Sequence, residues 1–508
     1  MSSVVAAGHT LTAAAAEEVL RAGGNAYDAV IAALATSFVA EPVLSSPGGG
    51  GFLLAAPAGE RPRVYDFFVQ TPRRPRPDGD IEFGPVMADF GPARQEFHIG
   101  RGTVATPGMV RGIAEIHADL GTVPLRELVA PACRHATEGV VLSAMQAYLQ
   151  GVVEAIIVAS EASRSIFSSV EAPERLARAG ERLVNPKLAD ALEAIAIEGA
   201  DLFYRGEIAA SLAADMASGG HLEAEDLAGY RVEKRAPLAL EYRGVRVLTN
   251  PPPSSGGALI GFGLDLLRAE DPGAWVFGSV AHLGCLAAVM EATSAARIEH
   301  SIESLASLDP DAVARWRAQV AGRARAFRGT TQVSVIDGAG NIASATVSNG
   351  EGSGYVIPGT GIVMNNMLGE DDLNPEGFHR WTPDARMTSM MAPTALAWRD
   401  GRRVATGSGG SNRIRTALLQ VLVDLVDFAM NVEDAVAAPR IHVEDSFLSV
   451  EGGFDPERLA PVLEAWPEHQ VWETTNMFFG GAHTVASGPR GVEGAGDPRR
   501  DGTCVIIA

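Results

Sequence analysis

In "FRGTTQVSVID", Gly329-Thr330 puts a hydroxyl at the start of an alternating apolar stretch, with Thr331 behind it. A threonine hydroxyl is a weak nucleophile unless a base sits beside it. One solution makes the threonine an N-terminus, so that its own α-amine takes the proton. That requires a cut in the chain, and an internal Gly-Thr can supply it. The Thr330 hydroxyl attacks the Gly329 carbonyl, and the N-to-O shifted ester is then hydrolysed. Threonine is also a favoured strand residue, so the dipeptide alone fits an ordinary strand equally well.

Other stretches carry compatible chemistry. In "TGSGGSNRI" (406–414), residues with little side chain stand just ahead of a helix. Backbone N–H groups exposed there suit an oxyanion, while a tight strand-to-helix turn accounts for the same glycines. Ser348 and Asn349 lie on the strand paired with the one Thr330 opens, where they could orient a nucleophile or hold a substrate. Glu370, Asp371 and Asp372 in "NNMLGEDDL" offer carboxylates to a substrate ammonium, or form an acidic loop facing solvent. The 11 histidines show no metal-ligand spacing, and "GSGG" lacks the strand-helix context of a dinucleotide site. No metal and no organic cofactor is therefore expected.

The elements that must position these residues are readable from pattern. "LTAAAAEEVLRA" (11–22) is a helix stopped at Gly23-Gly24, and the near-uniformly apolar stretch 26–42 predicts a buried helix ending before Pro42. Four glycines, 48–51, precede a short strand. Residues 73–97 read as an irregular surface excursion, 108–228 as mainly helical, and 238–250 as a hairpin broken by "PPPSSGGAL". A helical block should then run to about 325. Past Arg328 the character changes: "TTQVSVID" and "IASATVS" predict a hairpin about "DGAGN". Strands at "GIVMNN", "TALAWRDGRRVATG" and "FLSVEGGF" and helices at 412–429 and 432–438 follow. Strands flanked by helices in a layered core predict an α+β sandwich rather than a doubly wound parallel sheet.

Composition bounds the partners. The chain has 508 residues, 46% of them hydrophobic, and a formal net charge of −21. That charge argues against nucleic acid and anionic membrane surfaces, which need clustered Lys and Arg. Cys133, Cys285 and Cys504 are too few and too widely spaced for a disulfide framework, which fits a reducing compartment. No basic leader or run of roughly 20 apolar residues is seen, so a cytoplasmic location is expected.

Seven stretches occur in an order that resembles the γ-glutamyltransferase (γ-glutamyltranspeptidase) family. They are "AGGNAYDAVIAALATSFVAEPVLSSPGGGGFLL", "PPPSSGGAL", "GTTQVSVIDGAGN", "MNNMLGEDDLNP", "MTSMMAPT", "TGSGGSNRI" and "AVAAPRIH". The resemblance implies a four-layer αββα sandwich of the N-terminal-nucleophile hydrolase type. It implies a proenzyme cut between Gly329 and Thr330 into a large subunit 1–329 and a small subunit 330–508. The two would remain a heterodimer, further dimerisation being open, with a small-molecule γ-glutamyl or other acyl-amide substrate of the glutathione type.

By the same resemblance the oxyanion hole falls on Gly409 and Gly410, with Ser411 as a neighbour because the register shifts. Thr388 and Ser389 match hydroxyls that hold a substrate α-carboxylate, and Asp371 or Asp372 matches the ammonium partner. Ser348 and Asn349 match, to within one position, a threonine and an asparagine of the corresponding strand. One departure is specific. An arginine that clamps the α-carboxylate is expected after "DF", and this chain has Phe68 there, with Arg73 and Arg74 the nearest substitutes. A divergent acylase, amidase or C–C hydrolase is thus a second expectation. A catalytically silent binding protein, left uncut, is a third.

Overall fold

The computed structural model describes residues 2–89, 94–299, 329–374, 376–444 and 446–508. Strands Thr331–Ile336 and Ile342–Ser348 form the predicted antiparallel hairpin, with Thr331 opposite Val347 and Ile336 opposite Ile342. Every residue of both strands is buried. Their alternation therefore sorts two buried faces rather than core from solvent. Val333, Val335, Ala343, Ala345 and Val347 pack under helices. Gln332, Ser334, Ser344 and Thr346 meet a second sheet through hydrogen bonds: Gln332 Nε2 donates to both serine hydroxyls, and Thr346 donates back to Gln332 Oε1. Ser334 and Ser344 donate across to the carbonyls of His483 and Thr406. Pairing of this kind makes buried polar groups tolerable.

The first sheet runs Thr503–Ile507, Ser3–Ala7, Thr331–Ile336, Ile342–Ser348, Gly50–Ala56, Arg63–Phe67, Glu233–Arg235, and neighbouring strands are antiparallel. The second runs Gly491–Ala495, Gly481–Gly488, Arg403–Gly409, Thr394–Ala397, Val245–Thr249, Leu238–Tyr242. Helices Thr10–Arg21 and Ala26–Ala40 cover the first sheet, and Ser255–Leu267 and Arg413–Val426 cover the second. The expected helix–sheet–sheet–helix sandwich is present. Ala26–Ala40 is buried along its whole length and starts at Asn25, whose side chain accepts from the N–H groups of Tyr27 and Asp28.

Two stretches differ from expectation. The excursion at 73–97 contains a hairpin, Gly84–Asp89 with Arg94–Ile99, whose short alternation is masked by the surrounding proline, glycine and charge. "GIVMNN" forms no named strand. Asn365 instead spends its side chain on the backbones of Gly48 and Ala105, and isolated bridges such as Gly48 with Met364 replace a ladder. The expected helical block holds the helices Ser255–Leu267 and Val280–Glu299, and its continuation to about 325 lies outside the described residues. Among the described residues no helix is long and apolar enough to cross a membrane, and no cluster of His, Cys, Asp and Glu is placed to hold a metal.

The end of strand Phe447–Val450 is tied to the turn 497–500 by buried charge. Glu451 accepts from Arg499 at 2.5 to 3.0 Å with both side chains fully buried, and Arg440 pairs with Asp497 at 2.8 Å. Removing one member of such a pair strands its partner. Glu451→Ala should therefore lower stability by about 3 to 5 kcal/mol, seen as an earlier urea or thermal unfolding transition.

Candidate active site

Thr330 immediately precedes strand Thr331–Ile336, in the interior of the first sheet, and is buried. Period two puts it on the same face as Gln332 and Ser334, facing the second sheet. The peptide ahead of it is gripped on both sides. Ser348 Oγ donates to the Gly329 carbonyl at 2.5 Å, and the Gly329 N–H donates to Glu351 Oε1 at 2.7 Å. The Ser348 oxygen is itself held by the N–H of Gly350, and the Glu351 backbone N–H donates to Asn366 Oδ1. On the far side, Arg500 Nη1 donates to the Thr330 carbonyl at 3.3 Å, and Thr331 Oγ1 donates to Glu41 Oε2 at 2.6 Å.

A cavity of about 30 Å³ opens on this junction. Its polar lining is Thr330, Ser348, Glu370, Ser389 and Ser411; its apolar lining is Phe68, Met367, Leu373, Met390, Met391 and Ile414. The Ser411 hydroxyl is buried with no hydrogen-bond partner among the described residues. Gly409 ends its strand against the Thr330 carbonyl, where a Cβ would collide with that oxygen. Gly410 follows at φ +123° and Ser411 at φ +55°, so the chain reverses into the helix that begins at Arg413. Only glycine takes the first of these angles without strain.

The remaining expected residues divide. Glu370 lines the cavity, whereas Asp371 is exposed and Asp372 lies half-buried outside the lining, because the 3-10 turn Asp371–Leu373 carries both away. Ser389 lines it, while Thr388 donates to the carbonyl of Pro253. Asn349 is buried just past Ser348 but does not line it. Arg73 pairs with Asp384 and Arg74 with Glu223 at the surface, and neither lines the cavity. Phe68 does, stacked on Phe52 with ring centroids 5.5 Å apart. Arg386 lies close by, yet its guanidinium is spent on the Phe68 and Arg231 carbonyls and the Tyr230 hydroxyl.

"PPPSSGGAL" turns out to be the cradle of one cavity wall. Ser254 Oγ donates to the carbonyls of Ser389 and Met391, and Ser255 N–H donates to that of Ser389. Gly256 leaves room for the Met390 carbonyl.

A family model described as Gamma-glutamyltranspeptidase matches residues 12–507. The chain belongs to the gamma-glutamyltranspeptidase family. It is 32% identical to the Acylase ACY 1 proenzyme of Pseudomonas sp. (strain SE83), over 99% of this chain and 93% of that one. It is 30% identical to the Glutathione hydrolase proenzyme of Escherichia coli (strain K12), over 95% and 88%. Its fold matches the crystal structure of cephalosporin acylase from Bacillus halodurans with a TM-score of 0.83 at 26% identity, covering 99% of this chain and 95% of that one. Membership makes the chain a hydrolase or acyltransferase and places its sandwich with the N-terminal-nucleophile type.

For this family member, motif reasoning passed over Glu41, Glu351 and Arg500. Glu41 and Glu351 are lone charges in their stretches and Arg500 is one of several in "DPRRD", so they are recognisable only once the sheets bring 41, 351 and 500 to one place. Glu41 follows the buried helix and accepts from both Thr331 and Thr12. Burial pushes its carboxyl from an ordinary value near 4.5 up to about 6, against the two hydroxyl donors and Arg500. A raised folded-state value stabilises the fold below the ordinary value, and that contribution fades as pH rises through about 6. The difference amounts to about 2 kcal/mol. Thermal midpoints followed from pH 4 to 7 should thus fall less steeply in Glu41→Gln than in wild type.

Proposed function

We propose that the protein is a self-processing acyl hydrolase or acyltransferase whose nucleophile is Thr330, freed as the N-terminus of fragment 330–508. The observation that carries this reading is the grip on the Gly329 carbonyl: a hydroxyl donates to it at 2.5 Å, at a buried junction where Thr330 itself lines the cavity. In the uncut chain Ser348 polarises that carbonyl as Thr330 Oγ1 adds to its carbon. The C–N bond then breaks, the nitrogen keeps its own hydrogen and takes the proton given up by the Thr330 hydroxyl to become the new amine, and water hydrolyses the ester to leave the Gly329 carboxylate. In turnover the α-amine takes the hydroxyl proton, and an acyl-enzyme passes its acyl group to water or to an amine. Gly409, Gly410 and Ser411 provide the oxyanion turn. The relatives named as proenzymes support such processing. The two fragments would stay together because Thr331–Ile336 lies between Ser3–Ala7 and Ile342–Ser348 in one sheet.

Two acyl donors fit the family. One is a γ-glutamyl amide of the glutathione type, with Glu370 and Ser389 facing the amino-acid end. The other is an acyl group without an α-carboxylate, favoured by a specific observation: the lining holds Phe68, four further thioether and aliphatic walls on the 367–391 stretch, and no arginine. A missing charged hydrogen-bond partner costs about 1.5 to 3 kcal/mol, roughly 10- to 100-fold in kcat/KM.

Mass analysis of purified wild type should find fragments 1–329 and 330–508, while Thr330→Ala stays whole. Ser348→Ala should cut at least about 100-fold more slowly, as for the loss of one oxyanion donor. A wild-type chain still intact after long incubation would overturn the reading. With glutathione, a γ-glutamyl anilide and simple N-acyl anilides compared side by side, the cavity lining predicts that an apolar N-acyl anilide exceeds both γ-glutamyl compounds by tenfold or more. The reverse ranking would restore the γ-glutamyl donor.

A further inference from the structure

Arg500 is buried against the threonine junction in a way the fold itself does not require. The buried ion pairs of its neighbourhood, Arg440 with Asp497 and Arg499 with Glu451 and Asp497, are complete without it. Among the described residues no carboxylate forms an ion pair with Arg500, and its Nε has no hydrogen-bond partner. The side chain runs across Gly481, where a Cβ would collide with its stem. Its guanidinium then lies behind the oxyanion turn: methyls added at Gly409 and Gly410 would sit 3.2 Å from Nη1 and 3.4 Å from Nη2. Among the described residues the one hydrogen bond the guanidinium makes is to the carbonyl of Thr330.

Its charge is balanced at a distance by Asp497, Glu41 and Glu351. Two of these already hold the flanks of the nucleophile, Glu351 through the Gly329 N–H and Glu41 through the Thr331 hydroxyl. Burial pulls Arg500 down to about 10, so it keeps its proton throughout the neutral range. His483, behind it, is pulled down to about 4 by burial and adds no charge there.

An α-amine ordinarily titrates near 7.7 to 8.0, so at neutral pH most copies carry a proton and cannot serve as a base. Around Thr330 the carboxylates of Glu41, Glu351 and Glu370 would raise that value further, and a nearby cation opposes them. We infer that Arg500 is a positioning residue of the threonine site, whose cation keeps the freed α-amine of Thr330 unprotonated near neutral pH and reinforces the Gly409–Gly410 oxyanion turn. The amine takes the hydroxyl proton as Oγ1 bonds to the acyl carbon. It returns that proton to the departing nitrogen as the C–N bond breaks. Arg500 touches neither reacting atom and acts through the field it imposes on both.

The inference rests on Thr330 being the new N-terminus, and the experiment separates the two. Full-length wild type, Arg500→Lys and Arg500→Met are purified and the N-terminus of the small fragment is determined. The pH profile of kcat/KM is then measured with a γ-glutamyl anilide and an N-acyl anilide. Arg500→Lys keeps the cation, so its acid limb should stay within a few tenths of a pH unit of wild type. In Arg500→Met the acid limb should move up by about one unit, with kcat down at least tenfold and KM nearly unchanged. Cutting by Arg500→Lys but not by Arg500→Met supports the part of the role exerted on the oxyanion turn, since the uncut chain has no free amine at Thr330. Matching acid limbs in the two variants overturn it, as does equal failure of both to cut. A wild-type small fragment that starts elsewhere than Thr330 removes the nucleophile reading and this inference with it, whereas a correct start with an unmoved acid limb removes only the role of Arg500.

Discussion

The hydrogen bond from Ser348 to the Gly329 carbonyl depends on the register of one strand pair, and the site depends on that bond. Thr331 stands opposite Val347, so the next pair outward is Thr330 with Ser348. A slip of one residue would turn Ser348 toward the helices and put Val347 or Asn349 opposite Thr330 in its place. Register is guarded by the polar belt between the sheets, where Gln332 bridges Ser334, Ser344 and Thr346. Each slipped arrangement would bury some of those groups unpaired, at a cost of about 1 to 3 kcal/mol apiece. The belt thus does for the strand pair what an apolar interface could not, because apolar contacts tolerate sliding.

Charge around the junction is arranged asymmetrically. Carboxylates hold hydrogen-bond donors on the backbone and hydroxyls, and among the described residues the Arg500 cation lies on the opposite side behind the glycine turn. The cavity beyond is walled mainly by methionines and branched aliphatic residues, with Phe68 just past the end of strand Arg63–Phe67. Met side chains adapt to irregular shapes, and such walls accommodate an apolar acyl chain more readily than a rigid clamp does. One cavity wall is fixed indirectly by Ser254 and Ser255, which hold the backbone of 389–391 in place.

Much of this was legible in the residues. Period two gave the central hairpin, helix formers with a glycine stop and an apolar run ending before Pro42 gave the two helices over the first sheet, and the ordered motifs gave the family. The 73–97 hairpin was not legible, since local composition there outweighs a six-residue alternation. "GIVMNN" misled for a different reason: its apolar run reads as a strand, but Asn365 and Asn366 capture backbone groups that a ladder would use. In "EDDL" a carboxylate was foreseen without the side that carries it, because the turn at 371–373 decides which acid faces inward. Glu41, Glu351 and Arg500 were invisible in principle to local reading. Their meaning is a coincidence of places far apart along the chain.

The antiparallel pairing of Ser3 with Ile507 has a topological meaning. The first and last described strands lie side by side, so the backbone traces a nearly closed ring. The proposed break at 329–330 would open that ring at a second point and leave the sheet's neighbour relations unchanged. Around the ring, Thr330 is as natural a beginning as residue 2. A circularly permuted chain that started at Thr330 and passed from 508 into 2 would trace the same sandwich, with its threonine terminal from the outset.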